Sequence, residues 1–356
     1  MNTGNIYGKF NKILCLFLFS SFLILASSGS ASAQTVIVVP RSEPKPAEKP
    51  QTPKTPENHK PPTYQTKINT VSEKSIAVSE KVNISVCVRA GEVKVNGWNR
   101  NEIRAFVSRG SSVGFSVLEK GKTDKKPVWV KVLGYDPAKE SESRREECIS
   151  GKFIELDVPF GATVNIESRE SKTTIDSVAK ASVKLLGGDI FLSNIPNGVE
   201  ARTYRGNVTV KNSGGSMTLD TTNGNIVAYD VSSDEIGDAF HAKTNSGEIT
   251  LQQIQYRETK VNSNTGSINF VGEILNGGQY YFGSSNGLVT LVVPENTSAK
   301  IVAIYGYGSF ESENPLKNLK RDENTGLKSL TGTLGGGEAL LNFKTVRGKI
   351  TIKKAD

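Results

Sequence analysis

The chain has 356 residues, with 44 Lys and Arg against 36 Asp and Glu, a formal charge of +8, and 34 glycines. It contains only two histidines and three cysteines, and no Cys/His spacing suits zinc, which excludes a zinc centre. Beyond Ala33 no stretch is apolar for long enough to form a transmembrane helix, so the chain past that point is read as soluble.

Residues 1–33 have the pattern of a secretory signal peptide. Lys9 and Lys12 precede an apolar run from Ile13 to Ala26, and small residues end at Ala31-Ser32-Ala33, which places cleavage before Gln34. Cys15 lies inside the run and would be discarded with it. The expected location is extracytoplasmic: periplasm, cell surface or secreted. An uncleaved signal segment would instead hold the chain near a membrane. Removing Lys9 and Lys12, with no acid in the first 33 residues, takes the formal charge from +8 to +6. A basic exported protein meets acidic glycans, lipid head groups or wall polymers before nucleic acid. The bland alternative is a mildly basic, solvated surface, because residues 161–356 hold no dense Lys/Arg cluster.

Residues 34–80 are expected to be a disordered linker rich in Pro, Lys and Glu. Eight prolines from Pro40 to Pro62 alternate with charged residues, as in Glu43-Pro44-Lys45-Pro46, leaving almost nothing to bury. At about 3.1 Å per residue in polyproline geometry, such a spacer would reach roughly 100 Å.

Residues 81–160 form an N-terminal β region expected to cap the repeats of residues 161–356. Val82, Ile84, Val86 and Val88 alternate with polar residues, and strands are predicted around Ile103 to Val107, Val113 to Val117, Val128 to Leu133 and Ile154 to Val158. A charged excursion runs from Asp136 to Glu147. Trp98 is expected to pack over the open end of the stack. The two cysteines outside the signal segment, Cys87 and Cys148, form an even pair in an oxidising compartment, where a disulfide would contribute roughly 4 kcal/mol in the chain-entropy model. The other reading is two buried thiols in separate strands. Pairing is favoured because it would staple the excursion to the first strand.

Residues 161–356 carry a repeated phrase: glycine, any residue, an aliphatic, a polar residue, an aliphatic. Its copies begin at Gly188, Gly206, Gly224, Gly247, Gly266, Gly287 and Gly348. The first six are separated by 18, 18, 23, 19 and 21 residues, a ragged period near twenty. The glycine is expected to take positive φ at a corner, and the alternation to put aliphatic side chains on one face. No copy is long enough to bury its own apolar face. Stacking copies at about 4.8 Å per layer, with two or more short strands per turn, would build one narrow core. An antiparallel sandwich or meander also suits strands with frequent turns, and Asn223-Gly224 and Asn286-Gly287 are hairpin signals. A sandwich, however, has no reason to keep the glycine at one position relative to the aliphatic pair. The expected fold is therefore all-β, a parallel β-helix-like solenoid of short repeated strands.

Gly91-Glu92-Val93-Lys94-Val95-Asn96-Gly97-Trp98, Leu156-Asp157-Val158-Pro159-Phe160-Gly161-Ala162, the Ser/Asn-Gly-x-Ile copies and Leu291-Val292-Val293-Pro294 together resemble the bacterial putative-adhesin domain, a family of unknown function. The resemblance covers most of Lys81 to Ile352. It implies a β-solenoid on exported or membrane-tethered proteins and offers no catalytic residues.

Reactive motifs return negatives. Gly110-Ser111-Ser112-Val113-Gly114 fits the esterase elbow pattern, but no helical segment follows it and the only histidines are His59, in the linker, and His241. Ser177-Val178-Ala179-Lys180 lacks the companion motifs of penicillin-recognising enzymes. Asp230, Asp234, Glu235 and Asp238 would be calcium ligands only with a regularity they lack, so they read as a solvated loop. No catalytic, metal or cofactor-binding residue is assigned and no cofactor is expected. The leading expectation is a non-enzymatic, adhesin-like interaction module whose partner is a cell-envelope glycan or protein and not nucleic acid. A regulatory envelope protein and a glycan-active β-helix enzyme are the alternatives.

Overall fold

The structure, a computed structural model, describes residues 71–123, 125–135, 148–322 and 327–355. The signal segment, its cleavage point, the linker up to residue 70 and the excursion at 136–147 lie outside the described residues. Every described residue belongs to one unit, Gln65–Asp356.

The chain is all-β. It opens with β1 (Val71–Ala77), β2 (Asn83–Trp98), β3 (Glu102–Ser108), β4 (Ser112–Lys120), β5 (Pro127–Tyr135), β6 (Ile149–Pro159) and β7 (Thr163–Asp176). The repeats supply β8 (Lys180–Gly187), β9 (Ile190–Ser193), β10 (Val199–Arg205), β11 (Val208–Gly214), β12 (Met217–Asn223) and β13 (Ile226–Ser232). They continue with β14 (Ala239–Ser246), β15 (Ile249–Gln255), β16 (Glu258–Ser263), β17 (Ile268–Val271), β18 (Gln279–Ser284) and β19 (Val289–Val293). Last come β20 (Ala299–Gly306), β21 (Ser309–Ser312), β22 (Lys317–Asp322), β23 (Lys328–Leu334), β24 (Ala339–Thr345) and β25 (Lys349–Lys354).

Each turn of the solenoid holds two strands. Even-numbered β8 to β18 pair in parallel along one wall, and odd-numbered β9 to β19 along the other. Register is maintained throughout, as in Ile190, Val208, Ile226, Ile249, Ile268 and Val289, which stack one above another. All six are fully buried. A slip of one residue would turn this column outward, so the hydrophobic pattern fixes the pairing. Large and small residues alternate across the core: Ala201, Ala228 and Ala242 leave room, while Phe270, Phe282 and Phe343 pack ring to ring at 5.5 and 5.8 Å.

At both ends the stacking order departs from the chain order. After β18 and β19 the chain lays down the outermost coil, β20 and β21, makes the antiparallel strands β22 and β23, and only then returns. The returning strands slot in between: β24 pairs with both β18 and β20, and β25 with both β19 and β21. The N-terminal end does the same, since β2 lies between β7 and the coil formed by β5 and β6. Antiparallel β4, β3 and β1 cover the outside of that coil, shielding its edge from other chains.

Three details differ from the sequence reading. The span expected to be linker, 34–80, contains an ordered strand, β1, held by seven paired positions on β3. Trp98 is half-buried and does not cover an open end. It sits at the corner of β2, level with Pro159, donates to the Glu102 carbonyl at 2.8 Å and lies under the Arg100 guanidinium. Only Gly188, Gly206 and Gly247 of the seven corner glycines have φ in the left-handed region. What all seven share is proximity: a Cβ on each would fall on a backbone carbonyl oxygen of the neighbouring coil. Gly206 meets Gly188, Gly224 meets Gly206, and so on through Gly287 and Gly348 to Gly308.

Candidate interaction surface

The corner stack and the two walls determine which side chains face solvent. In six of the seven corners a hydroxyl residue stands three positions before the glycine. Thr203, Thr221, Thr244, Ser263 and Ser284 donate to the carbonyls of Gly188, Gly206, Gly224, Gly247 and Gly266 at 2.9–3.2 Å. These hydroxyls are buried, and an unpaired carbonyl there would be costly. The sequence carries this signal as Ser/Thr-x-x-Gly in six of the seven copies, yet the repeat is legible without it and it is easily passed over. A further copy, Gly308-Ser309-Phe310, also escapes sequence reasoning because an aromatic residue replaces the aliphatic.

On the outer face of the even-numbered wall, one column reads Lys184, Arg202, Asp220, Lys243, Asn262, Gly283 and Lys344. The adjacent column reads Ser182, Glu200, Thr218, His241, Lys260, Tyr281 and Asn342. At the N-terminal end Lys184, Glu200 and Arg202 are paired: Glu200 accepts from the Ser182 hydroxyl at 3.0 Å and lies 3.0 Å from Arg202 and 3.7 Å from Lys184. Farther along, Lys243, Lys260 and Lys344 are exposed and have no ion-pair partner among the described residues. Around Gly283 the wall dips into a cavity of about 280 Å³ lined by Lys243, Asn262, Asn264, Tyr281 and Lys344.

The odd-numbered wall presents Phe191, Thr209, Val227, Thr250, Asn269, Thr290 and Thr351 in register. Its groups are smaller, and the Lys172 ammonium lies over the Phe191 ring. Asp176 ends the wall near its start. Burial alone would raise its carboxyl, but donors on Ser193, Ser177 and Asn194 and the charge of Lys211 outweigh that and hold it below the ordinary range.

Cys87 of β2 and Cys148, just before β6, are joined as a disulfide with their Cα atoms 4.6 Å apart, tying the first two coils together. His241 lies 3.9 Å from Glu258 on the even-numbered wall. Ser111 exchanges hydrogen bonds with the backbone of Ser150, and Ser177 sits in a turn with φ 58°. Asp238 accepts from the backbone N–H of Asp234 and Glu235 at 3.0 and 2.9 Å and from the Ser216 hydroxyl at 2.7 Å. Those bonds, led by the Glu235 N–H, lower its pKa. Among the described residues no cluster of three or more His, Cys, Asp or Glu is placed to hold a metal ion.

Fold and corner stack together define a parallel β-solenoid with two strands per coil. The chain belongs to the Toastrack DUF4097 family, a domain family of unknown function whose model matches residues 150–353. The coil strands β2 and β5 precede the matched region; β2 pairs in register with β7 inside it, and β5 pairs in turn with β2. No curated protein matches the chain. Among solved structures, a "putative cell adhesion protein" from Clostridium sporogenes is 11% identical over 81% of this chain and 100% of its own, with a TM-score of 0.23. A "putative adhesin" from Parabacteroides distasonis is 9% identical over 64% of this chain and 94% of its own, with a TM-score of 0.25. Likenesses at these scores carry no argument about function.

Proposed function

We propose that the protein is a non-enzymatic, adhesin-like interaction module, exported and displayed at the bacterial cell envelope, that engages its partner along the outer face of the even-numbered wall. The observation that supports this reading is the register of that wall. Equivalent outward positions recur at about 4.8 Å from coil to coil, so an extended partner meets an outward side chain at the same spacing in every layer, with the kind of group varying along the wall. Repeat solenoids use such surfaces for contact because their faces are long, rigid and replaceable residue by residue. The paired Glu200 and the capping role of Asp238 give those carboxylates structural work within the fold.

The test is sedimentation of the purified full-length protein with isolated bacterial cell walls, alongside assays for hydrolase and lyase turnover on the same material. Binding without turnover is expected. Turnover that a single acidic substitution abolishes would contradict the proposal and favour a glycan-active enzyme. Binding only to walls that retain their proteins would favour the regulatory reading, in which the partner is a protein.

A further inference from the structure

We infer that the dip around Gly283 is a binding subsite for a carboxylated polysaccharide, accommodating one or two uronic-acid rings; this rests on the interaction-module reading and names the ligand class of its wall. Gly283 carries the inference because nothing in the backbone requires it. It lies in the interior of β18, in register between Asn262 and Lys344, and its φ is outside the left-handed region. A glycine inside a strand loses packing and chain entropy, and where no bend demands it, it marks a place that something approaches closely. A Cβ at Gly283 would come within 2.7 Å of Asn262 Oδ1 and 2.9 Å of the Tyr281 ring. Those two side chains therefore lean into the space that the glycine leaves open.

The groups around the dip suit an acidic sugar. Lys243 and Lys344 stand at either end, three layers or about 14 Å apart by strand spacing, with no ion-pair partner among the described residues. Each offers a point charge to a carboxylate. Asn262 and Asn264 can both donate to and accept from ring hydroxyls, and Asn264 is oriented by a hydrogen bond to Asn245 at 3.2 Å. Tyr281 supplies one aromatic ring for the apolar face of a pyranose. The cavity, about 280 Å³, is slightly smaller than the roughly 300–1,000 Å³ typical of sites that enclose a whole small molecule, which suits one or two rings of a longer chain. Single-stranded nucleic acid fits less well, since it needs several stacking rings and a denser run of cations.

The test is calorimetric titration of the full-length protein with a short oligogalacturonide, a neutral oligoglucoside of equal length and an oligothymidylate. The uronide is expected to bind, more tightly at low salt, and the other two not. Lys243→Ala, Lys344→Ala and Tyr281→Ala should each weaken binding by about tenfold. Gly283→Leu should abolish it by filling the dip. It would meet movable side-chain ends rather than backbone, and an unchanged melting temperature confirms that the fold survives. Thr250→Ala on the opposite wall should leave affinity unaltered. Equal binding of the neutral sugar, tighter binding of the oligonucleotide, or undiminished binding by Gly283→Leu overturns the inference. If the uronide fails to bind while the protein still sediments with cell walls, this inference falls alone; if sedimentation fails as well, the interaction reading falls with it.

Discussion

Gly266 and Gly277 separate two reasons for a glycine. Gly266 has no left-handed φ, yet a Cβ there would fall on the Gly247 carbonyl, whereas Gly277 has φ 72° and nothing within 4 Å of its would-be Cβ. Gly266→Ala should therefore cost about 1–3 kcal/mol through overpacking against backbone that cannot yield. Gly277→Ala should cost only the backbone strain, about 1 kcal/mol. Chemical denaturation of the two variants measures the difference. Arg104 offers a second residue-level test. It bridges Asp157 on β6 and Glu73 on β1, and its pKa is raised, first of all by the hydrogen bond to the Asp157 carboxylate. Asp157 is buried but keeps the Asn96 amide as a donor at 3.1 Å, so Arg104→Ala should destabilise the N-terminal cap by about 1.5–3 kcal/mol, the range for lost hydrogen bonds to a charged group. The carboxyl of Asp176 titrates lower in the fold than in the unfolded chain. Its contribution is therefore complete above the unfolded value of about 3.9 and lost as pH falls through the lower folded value. Acid unfolding of Asp176→Asn should show a shallower decline in that range than the parent.

Among the elements, β24 and β25 have the most consequential position, because each lies between two coils that precede it in the chain. Truncation after Leu334 should deprive β20 of β24, its only parallel neighbour among the described residues, and remove β25, on which β21 pairs. Hydrogen exchange should then show β20 to β23 unprotected while β8 to β17 remain slow. This arrangement also marks how far the sequence can be read. The parallel stack and its strand pairs are legible from Gly188 to Gly287, because each coil packs only on its neighbours and repeats one local phrase. Gly348 is legible as a copy, but its place next to Gly287, 61 residues earlier, is not. Every copy has the same apolar face, so local pattern does not dictate which copy a returning strand joins. β1 escapes sequence reading because its charged residues lie on an exposed edge, giving the burial pattern of a linker. The polarity of the walls is legible, but the dip around Gly283 is not, since it depends on side chains from separate coils.

The described residues form one continuous core, stapled toward its N-terminal end by Cys87–Cys148. Reduction should lower stability by roughly 4 kcal/mol in the chain-entropy model, with the first coils losing protection before the repeats. Parallel stacking with the returning coil interposed is the central claim, and engineered cysteines test it directly. Thr290 and Thr351 are lateral neighbours, while Thr290 and Glu311 lie two layers apart. The pair Thr290→Cys with Thr351→Cys should cross-link readily under mild oxidation, and Thr290→Cys with Glu311→Cys should not, because about 10 Å exceeds the reach of a disulfide. Cross-linking of the second pair and not the first would mean that the coils stack in chain order, and would contradict the architecture described.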